Sequence, residues 1–189
     1  MTEVQTVLVG AGVVAVVVLL AGVVSYNRFV SQLTIVDESW KQIDVELQRR
    51  HELIPHLVAT VKGYAEHERE VLATVVAARE AAEQHRSDAP KAREPFEERL
   101  GGAVRGVLVR AEAYPDLKAS ANFLQLQDEL TNTEDRIAAA RRFYNGNVRA
   151  VNTRIGTFPS NVVAGLFDFR RRDFFELTDR AARDTPRVG

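Results

Sequence analysis

The sequence contains no cysteine. It therefore forms no disulfide and offers no thiolate to a metal ion. It also lacks the cysteine of a bacterial lipoprotein, since Val23 stands where that residue would follow Leu20, Ala21 and Gly22. A large charge excess is missing as well: the formal net charge is −1 over 189 residues, which gives no indication of nucleic-acid binding. The absence of cysteine fits a reducing compartment.

Signals for β-structure are also missing. Beyond the first 25 residues glycine is sparse, no stretch alternates polar and apolar side chains, and no internal repeat or low-complexity run is present. Alanine, arginine, glutamate, valine and leucine dominate, a composition typical of long helices. The sequence predicts an all-α fold, in which a single N-terminal transmembrane helix continues into a long antiparallel four-helix bundle, a coiled-coil-like domain.

A long apolar run is present near the N-terminus, from Val7 to Val24, without one charged or strongly polar side chain. About 20 apolar residues in a helix cross the hydrocarbon core of a bilayer, so the run predicts a membrane anchor at residues 1–25. A cleaved signal peptide is the alternative. It requires a basic leading segment, whereas Glu3 is the only charged side chain among residues 1–6.

Basic residues lie on one side of this run. Residues 1–6 contain no lysine or arginine, whereas Arg28, Lys41, Arg49 and Arg50 follow the run. Basic residues near a membrane span favour the cytoplasmic side. We therefore expect a single-pass protein of the cell membrane, with its N-terminus outside and its C-terminal domain in the cytoplasm.

Four stripes of apolar residues, spaced by three and four, follow the anchor. They predict a helical bundle at 26–159, with helices at about 26–63, 66–86, 92–114 and 120–157. Pro55 should bend the first helix without ending it, because the stripe resumes in phase. Leu47 and Leu130 are expected core residues, and the fourth stripe is expected to end at Phe158.

The lengths of these helices suggest an architecture. The first and fourth would each be about 57 Å long, and the middle two about half that. Short connections make neighbouring helices antiparallel, so the fourth should return to the membrane. Only two helices per chain would then cover the membrane-proximal part, and we expect a homo-oligomer for that reason.

The segment at 160–177 combines aromatic rings with three arginines and is predicted to be an amphipathic juxtamembrane element. Its candidate membrane contacts are Phe167, Phe169, Arg170, Arg171, Arg172, Phe174 and Phe175. In one interpretation the rings lie at the acyl boundary and the arginines on anionic head groups. In the other, the aromatic side chains cap the open end of the bundle. Residues 178–189 are polar and predict a disordered tail.

Small residues in the anchor would allow two membrane helices to approach closely. The candidates for such packing are Gly10, Ala11, Gly12, Ala15, Ala21, Gly22 and Ser25. Ordinary anchor composition explains the same residues, since glycine and alanine are common in membrane helices.

No constellation of catalytic, cofactor-binding or metal-binding residues emerges. His51, Glu52 and His56 resemble a zinc-protease motif, but that motif needs its histidines four residues apart, and here they are five apart with a proline between. We expect no metal there. Polar residues of the first and last helices, among them Arg50 and Glu134, indicate charge pairs that fix the register of the helices.

Four stretches carry a family resemblance: YNRFV at 26–30, SWKQIDVELQRRHELIPHLVATVKGYAEHERE at 39–70, AEAYPDLKASANFLQLQDELTNTEDRIAAARRFYNGNVRAVNTRI at 111–155 and FPSNVVAGLFDF at 158–169. They resemble the bacterial LemA family. The resemblance implies an N-terminal anchor followed by a long helical bundle. It implies no catalytic residues for this chain, because the family has no established biochemical activity or catalytic residues that could be carried over. It also implies a membrane metalloprotease as a partner, since one is sometimes encoded near family members.

We therefore favour a membrane-anchored, non-enzymatic helical scaffold that contacts the lipid bilayer, self-associates and recruits a membrane or cytoplasmic partner. One alternative is an accessory factor, or an enzyme, in envelope proteolysis, for which His51, Glu52 and His56 are the sequence support. Another is a membrane-shaping oligomer that acts on lipid through the anchor and 160–177.

Overall fold

The computed structural model of the chain describes residues 3–64 and 68–176. Within these ranges the secondary structure is helical, without strands, as the sequence predicts. The helices are α1 (Glu3–Lys62), α2 (Arg69–Gln84), α3 (Pro90–Ala111), α4 (Pro115–Lys118), α5 (Ala121–Gly156) and α6 (Ser160–Leu166). The expected disordered tail at 178–189 lies outside the described residues, as do Leu177 and His67.

The apolar run and the first apolar stripe belong to one continuous helix. α1 is 60 residues long and continues through Pro55, which is exposed to solvent. The predicted second, third and fourth helices correspond to α2, α3 and α5. Pro90 and Pro115 lie in the first turns of α3 and α4. The N–H groups of a first turn have no partner within the helix, so proline, which lacks an N–H, breaks no hydrogen bond there.

The chain groups into two compact units. Of the described residues, the first unit contains 3–39 and 145–172, and the second contains 40–144 and 173–176. Both α1 and α5 contribute residues to each unit. The sequence predicts domain boundaries at 25 and 159. The boundaries between the two units of the structure instead fall inside the two long helices.

The second unit has one hydrophobic core to which α1, α2, α3, α4 and α5 all contribute. Leu47 and Leu130 are both buried, so the predicted stripes of α1 and α5 have the right phase. The buried apolar cluster consists of Leu53, Ile54, Leu57, Val61, Leu72, Val75, Ala78, Ala82, Leu100, Val104, Val107, Ala111, Leu117, Phe123, Leu126 and Leu130.

Within this unit α1 and α5 run antiparallel. Glu46 of α1 pairs with Arg136 of α5, whereas Arg50, one turn further along α1, pairs with Glu134, which precedes Arg136 on α5. Moving forward along one helix therefore moves the contact backward along the other.

The first unit has a smaller buried set. It joins Phe29 and Val36 of α1, Val148 and Val151 of α5, and Ala164 of α6. Phe158, the expected last member of the fourth stripe, is 78% exposed, so that prediction is wrong. The cause is that α5 ends at Gly156, and the helical phase is lost before the chain reaches Phe158.

Candidate functional sites

The apolar run of α1 lies uncovered in the first unit. From Val7 to Val24 its large aliphatic side chains are 49% to 69% exposed. An exposed apolar surface of this length is unfavourable in water. Among the described residues α1 is the one helix long and apolar enough to cross a membrane. This surface supports a membrane location for the chain, as the sequence predicts.

The small residues of the run share this exposure. A side-chain carbon added at Gly10, Gly12 or Gly22 would meet no atom within 4 Å. Ala11, Ala15 and Ala21 are exposed, whereas Gly22 and Ser25 are half-buried. Close packing of a second membrane helix on this face stays a prediction.

The chain turns back on α1 directly after α6. Asp168 adopts a left-handed conformation with φ 53°, which aspartate tolerates better than bulky residues do. The turn places the ring of Phe169 on that of Phe29, with centroids 4.8 Å apart and nearly parallel planes. Phe167 lies 4.7 Å from Tyr26 but is still 57% exposed. Phe169 therefore packs on the helix, and Phe167 remains largely available at the surface.

The arginines that follow are tied to their own chain. Arg170 pairs with Asp168 at 2.9 Å, and Arg172 with Asp37 at 3.4 Å. The side chain of Asn152 forms two hydrogen bonds with the backbone of Arg172. Its Oδ1 accepts from the N–H of Arg172 at 2.9 Å, and its Nδ2 donates to the carbonyl of Arg172 at 2.8 Å. The guanidinium of Arg171 lies near Gly156. These exposed pairs are individually weak, but they orient the arginines along the protein.

The last described residues pack in the second unit. Phe175 is fully buried, and its ring meets Trp40 edge-on with centroids 5.2 Å apart. The Tyr144 hydroxyl donates to the carbonyl of Asp173 at 2.8 Å. Phe174 is half-buried. Among the candidate membrane contacts, Phe175 is therefore an interior residue whose ring cannot reach lipid.

A buried ionic network occupies the second unit. Arg50 of α1 and Glu97 of α3 are both almost inaccessible to water, and Arg50 Nη2 lies 2.6 Å from Glu97 Oε2. The other terminal nitrogen of Arg50 donates to Glu134 of α5 at 2.9 Å. The guanidinium passes close to α3 at Gly101, where an added side-chain carbon would lie 3.2 Å from Arg50 Nη1.

Arg93 completes the network from one turn earlier on α3. Its Nε donates to Glu97 Oε1 at 2.9 Å, and its Nη1 donates to Asp44 at 2.7 Å and to the carbonyl of Arg86 at 3.1 Å. Each oxygen of Glu97 thus accepts from a different arginine. The network ties α1, α3, α5 and the α2–α3 connection together.

The surroundings of Glu97 determine its ionisation. Burial alone would raise the pKa of this carboxyl, but the hydrogen bond with His51 and the positive charges of Arg50 and Arg93 outweigh it and hold the pKa at about 2. Glu97 is therefore a carboxylate at neutral pH and a very weak base.

The histidines of the zinc-protease-like stretch occupy different environments. His51 is buried: its Nε2 lies 3.4 Å from Glu97, and its Nδ1 lies 3.2 Å from Glu83 without the alignment of a hydrogen bond. Glu52 and His56 are exposed. Within 3–64 and 68–176 no group of three or more histidine, aspartate or glutamate side chains is arranged to hold a metal ion.

The charge pairs predicted between the first and last helices are confirmed by Arg50–Glu134 and Glu46–Arg136. A third helix of the network, α3, supplies Arg93 and Glu97, which were not among the predicted charge pairs. The sequence contains a signal for their burial, because Arg93 and Glu97 precede Leu100 at the same spacing as the apolar stripe of α3.

Comparison with known proteins assigns most of the chain. The family model described as LemA family matches residues 39–189. "Protein LemA" of Metamycoplasma hominis is 38% identical over 78 residues, which is 41% of this chain and 36% of that protein. "Magnetosome protein MamQ 2" of Paramagnetospirillum magneticum is 30% identical over 87 residues, 46% of this chain and 31% of that protein. The alignments thus span about a third of the length of these curated relatives.

The depressed pKa of Glu97 predicts a pH-dependent stability. The folded state favours the carboxylate, so the stabilisation is complete above a pH of about 4.5 and is lost as the pH falls towards 2. A shift of this size corresponds to about 3 kcal/mol. We expect the unfolding free energy of the full chain in detergent micelles, followed by the fluorescence of the only tryptophan, Trp40, to fall over this window.

The variant Glu97→Gln should be less stable at neutral pH and should lose this part of the pH dependence. Glu98→Gln removes the neighbouring carboxylate, which lies outside the network, and should keep the wild-type slope. An unchanged slope in Glu97→Gln would mean that another group carries the effect.

Gly101 and Gly102 offer a matched test of the close approach between the Arg50 guanidinium and α3. Replacing glycine by alanine inside a helix stabilises it by about 1 kcal/mol when space is free. We expect this gain for Gly102→Ala, since nothing lies within 4 Å of the added carbon. Gly101→Ala should instead lower the unfolding free energy, because Arg50 is held by two carboxylates and cannot move aside. Equal gains in chemical denaturation would show that the guanidinium is free to shift.

Proposed function

The chain belongs to the LemA family, and we propose that it is a membrane-anchored, non-enzymatic scaffold that self-associates and recruits a protein partner. The observation that carries the proposal is the composition of α1. One uninterrupted helix contains both the uncovered apolar run and side chains of the hydrophobic core of the second unit. The same element that would enter a membrane thus also contributes to the folded helical unit.

The interior of the second unit supports a structural rather than a catalytic role. Its buried carboxylate, Glu97, accepts from two arginines, and a pKa of about 2 makes it a poor general base at neutral pH. Buried charges that satisfy one another fix the register of helices, as polar core residues do in coiled coils.

The surface of the second unit supports partner recruitment. A groove of about 640 Å³ is lined by Val58, Leu72 and Val76 together with two basic side chains, Lys62 and Arg69, and one acidic side chain, Glu80. An apolar floor with charged side chains at its edge suits an amphipathic segment of a partner. Phe143, 53% exposed on α5, adds an aromatic side chain of the kind enriched at protein interfaces.

Contact with the membrane surface is a second role for the first unit. Val162 and Leu166 of α6 are exposed, and so are the neighbouring Phe158 and Phe167. This group, rather than the paired arginines, is the part of 158–177 that we propose to reach the acyl boundary.

Self-association is testable because the chain has no native cysteine. We expect Ala11→Cys and Ala15→Cys, both on the small-residue face of the span, to form disulfide-linked dimers when membranes are oxidised. Val13→Cys lies about 200° around the helix from Ala11 and serves as the matched control. Dimers in equal yield at all three positions would indicate random collision, and none at any would contradict self-association through the span.

Orientation can be tested in the same cysteine-free background. Arg28 directly follows the span, so we propose that the second unit is cytoplasmic. Val109→Cys, at a position 71% exposed on α3, should react with a membrane-impermeant maleimide only after the cells are permeabilised. Labelling in intact cells would place the unit outside.

A further inference from the structure

The first unit contains a cavity of about 510 Å³, widely open to the surface, beside the end of the apolar run. Arg28 and Gln32 of α1 line one side, and Arg154 of α5 lines the other. Ala21 and Val24, which belong to the apolar run, also line it. The cavity has no carboxylate in its lining, so its two guanidinium groups face a space without negative charge.

Neither arginine is neutralised within the described chain. Arg28 and Arg154 form no ion pair with any residue of 3–64 or 68–176, and the nearest defined contact of Arg154 is the face of the Phe29 ring at 5.7 Å. Burial lowers the pKa of Arg154, and the positive charge of Arg28 lowers it further. Arg154 is half-buried, whereas Arg28 is exposed. An anion between the two guanidinium groups would offset their mutual repulsion.

Besides the arginines, the cavity is lined by the polar side chains of Ser25, Gln32, Thr153, Thr157 and Ser160. The hydroxyls of Thr157 and Ser160 already donate to backbone carbonyls of α5 and its end. The side-chain oxygen of Gln32 is buried without a hydrogen-bond partner. A half-turn of this amide presents its NH₂ group instead, so Gln32 can add a donor to those of the two arginines.

The position of the cavity defines the ligand. Arg28 lies four residues beyond Val24, about 6 Å further along the helix, which is the depth of the head-group layer when the run spans the hydrocarbon core. Ala21 and Val24 lie at the apolar side of the same cavity. A ligand that meets both surfaces has an anionic head and an apolar tail.

We propose that this cavity binds an anionic phospholipid, with the phosphate between Arg28 and Arg154, within reach of Gln32, and an acyl chain along Ala21 and Val24. Bidentate contact between guanidinium and phosphate oxygens suits the paired arginines. The proposal rests on the membrane location of the first unit. The site is distinct from the exposed apolar side chains of Phe158, Val162, Leu166 and Phe167 and from the arginines of 170–172.

The test uses the full chain in phosphatidylcholine nanodiscs that contain a minority of phosphatidylglycerol, followed by native mass spectrometry of the released protein. Wild type should retain phosphatidylglycerol in preference to phosphatidylcholine. Arg154→Gln and Arg28→Gln should each lower this retention about fivefold, since one cation near an anionic lipid contributes about that factor. Arg154→Lys should restore most of it.

Arg149→Gln is the matched control, because Arg149 is an exposed arginine of α5 in the same unit that does not line the cavity. Retention that falls equally in this variant, or that stays unchanged in Arg154→Gln and Arg28→Gln, overturns the site. Displacement of the lipid by inorganic phosphate at equal concentration overturns the lipid assignment in favour of a free anion. Membrane fractionation of each variant separates these outcomes from loss of anchoring, because the membrane location on which the site depends is contradicted only if wild type is not retained in membranes.

Discussion

The structure of the second unit depends on one buried charge pair. Arg50 and Glu97 occupy positions at which heptad packing favours apolar side chains, and both are almost wholly removed from water. Removing water from two charges costs several kcal/mol each, so hydrogen bonds and opposite charges must offset that cost. Glu97 is bonded by two arginines, and the two terminal nitrogens of Arg50 are bonded by carboxylates from α3 and α5, whereas the buried Nε of Arg50 has no hydrogen-bond partner among the described residues. Removing one partner of such a pair costs about 3–5 kcal/mol, whereas sliding a helix by one turn would separate all of them. The pair therefore specifies register more than it adds stability.

The two units differ in whether their arginines are paired with carboxylates of the chain. In the second, buried cations are matched by carboxylates of the chain itself, and Gly101 provides the space that lets Arg50 reach them. In the first, Arg28 and Arg154 line a cavity without any acidic residue. Folding alone accounts for a matched network, because its members satisfy one another. It does not account for two adjacent cations that share no counter-charge, and this contrast is why the cavity, rather than the network, indicates a ligand.

The sequence predicts the helices and the core of this protein well because both follow from a local pattern. Apolar residues at spacings of three and four assign Leu47 and Leu130 to the core, and composition identifies the span from Val7 to Val24. Arg93 and Glu97 continue the same spacing, yet a rule that counts only apolar residues passes over them. The burial of Phe175 against Trp40 could not be predicted, since it depends on where an irregular segment returns in space. The likeness of His51 and His56 to a metal motif also fails for a spatial reason: one side chain is buried and the other is exposed.

The extent of the family match has a physical explanation in these terms. It covers residues 39–189 and leaves the apolar run outside. A lipid bilayer requires only length and apolar character of a spanning helix, so many sequences serve equally well there. The second unit requires five helices to complete one hydrophobic core, and fewer sequences meet that condition. The apolar run is therefore the least specific part of the chain, and the proposed partner is best sought on the helices that the charge network holds in register.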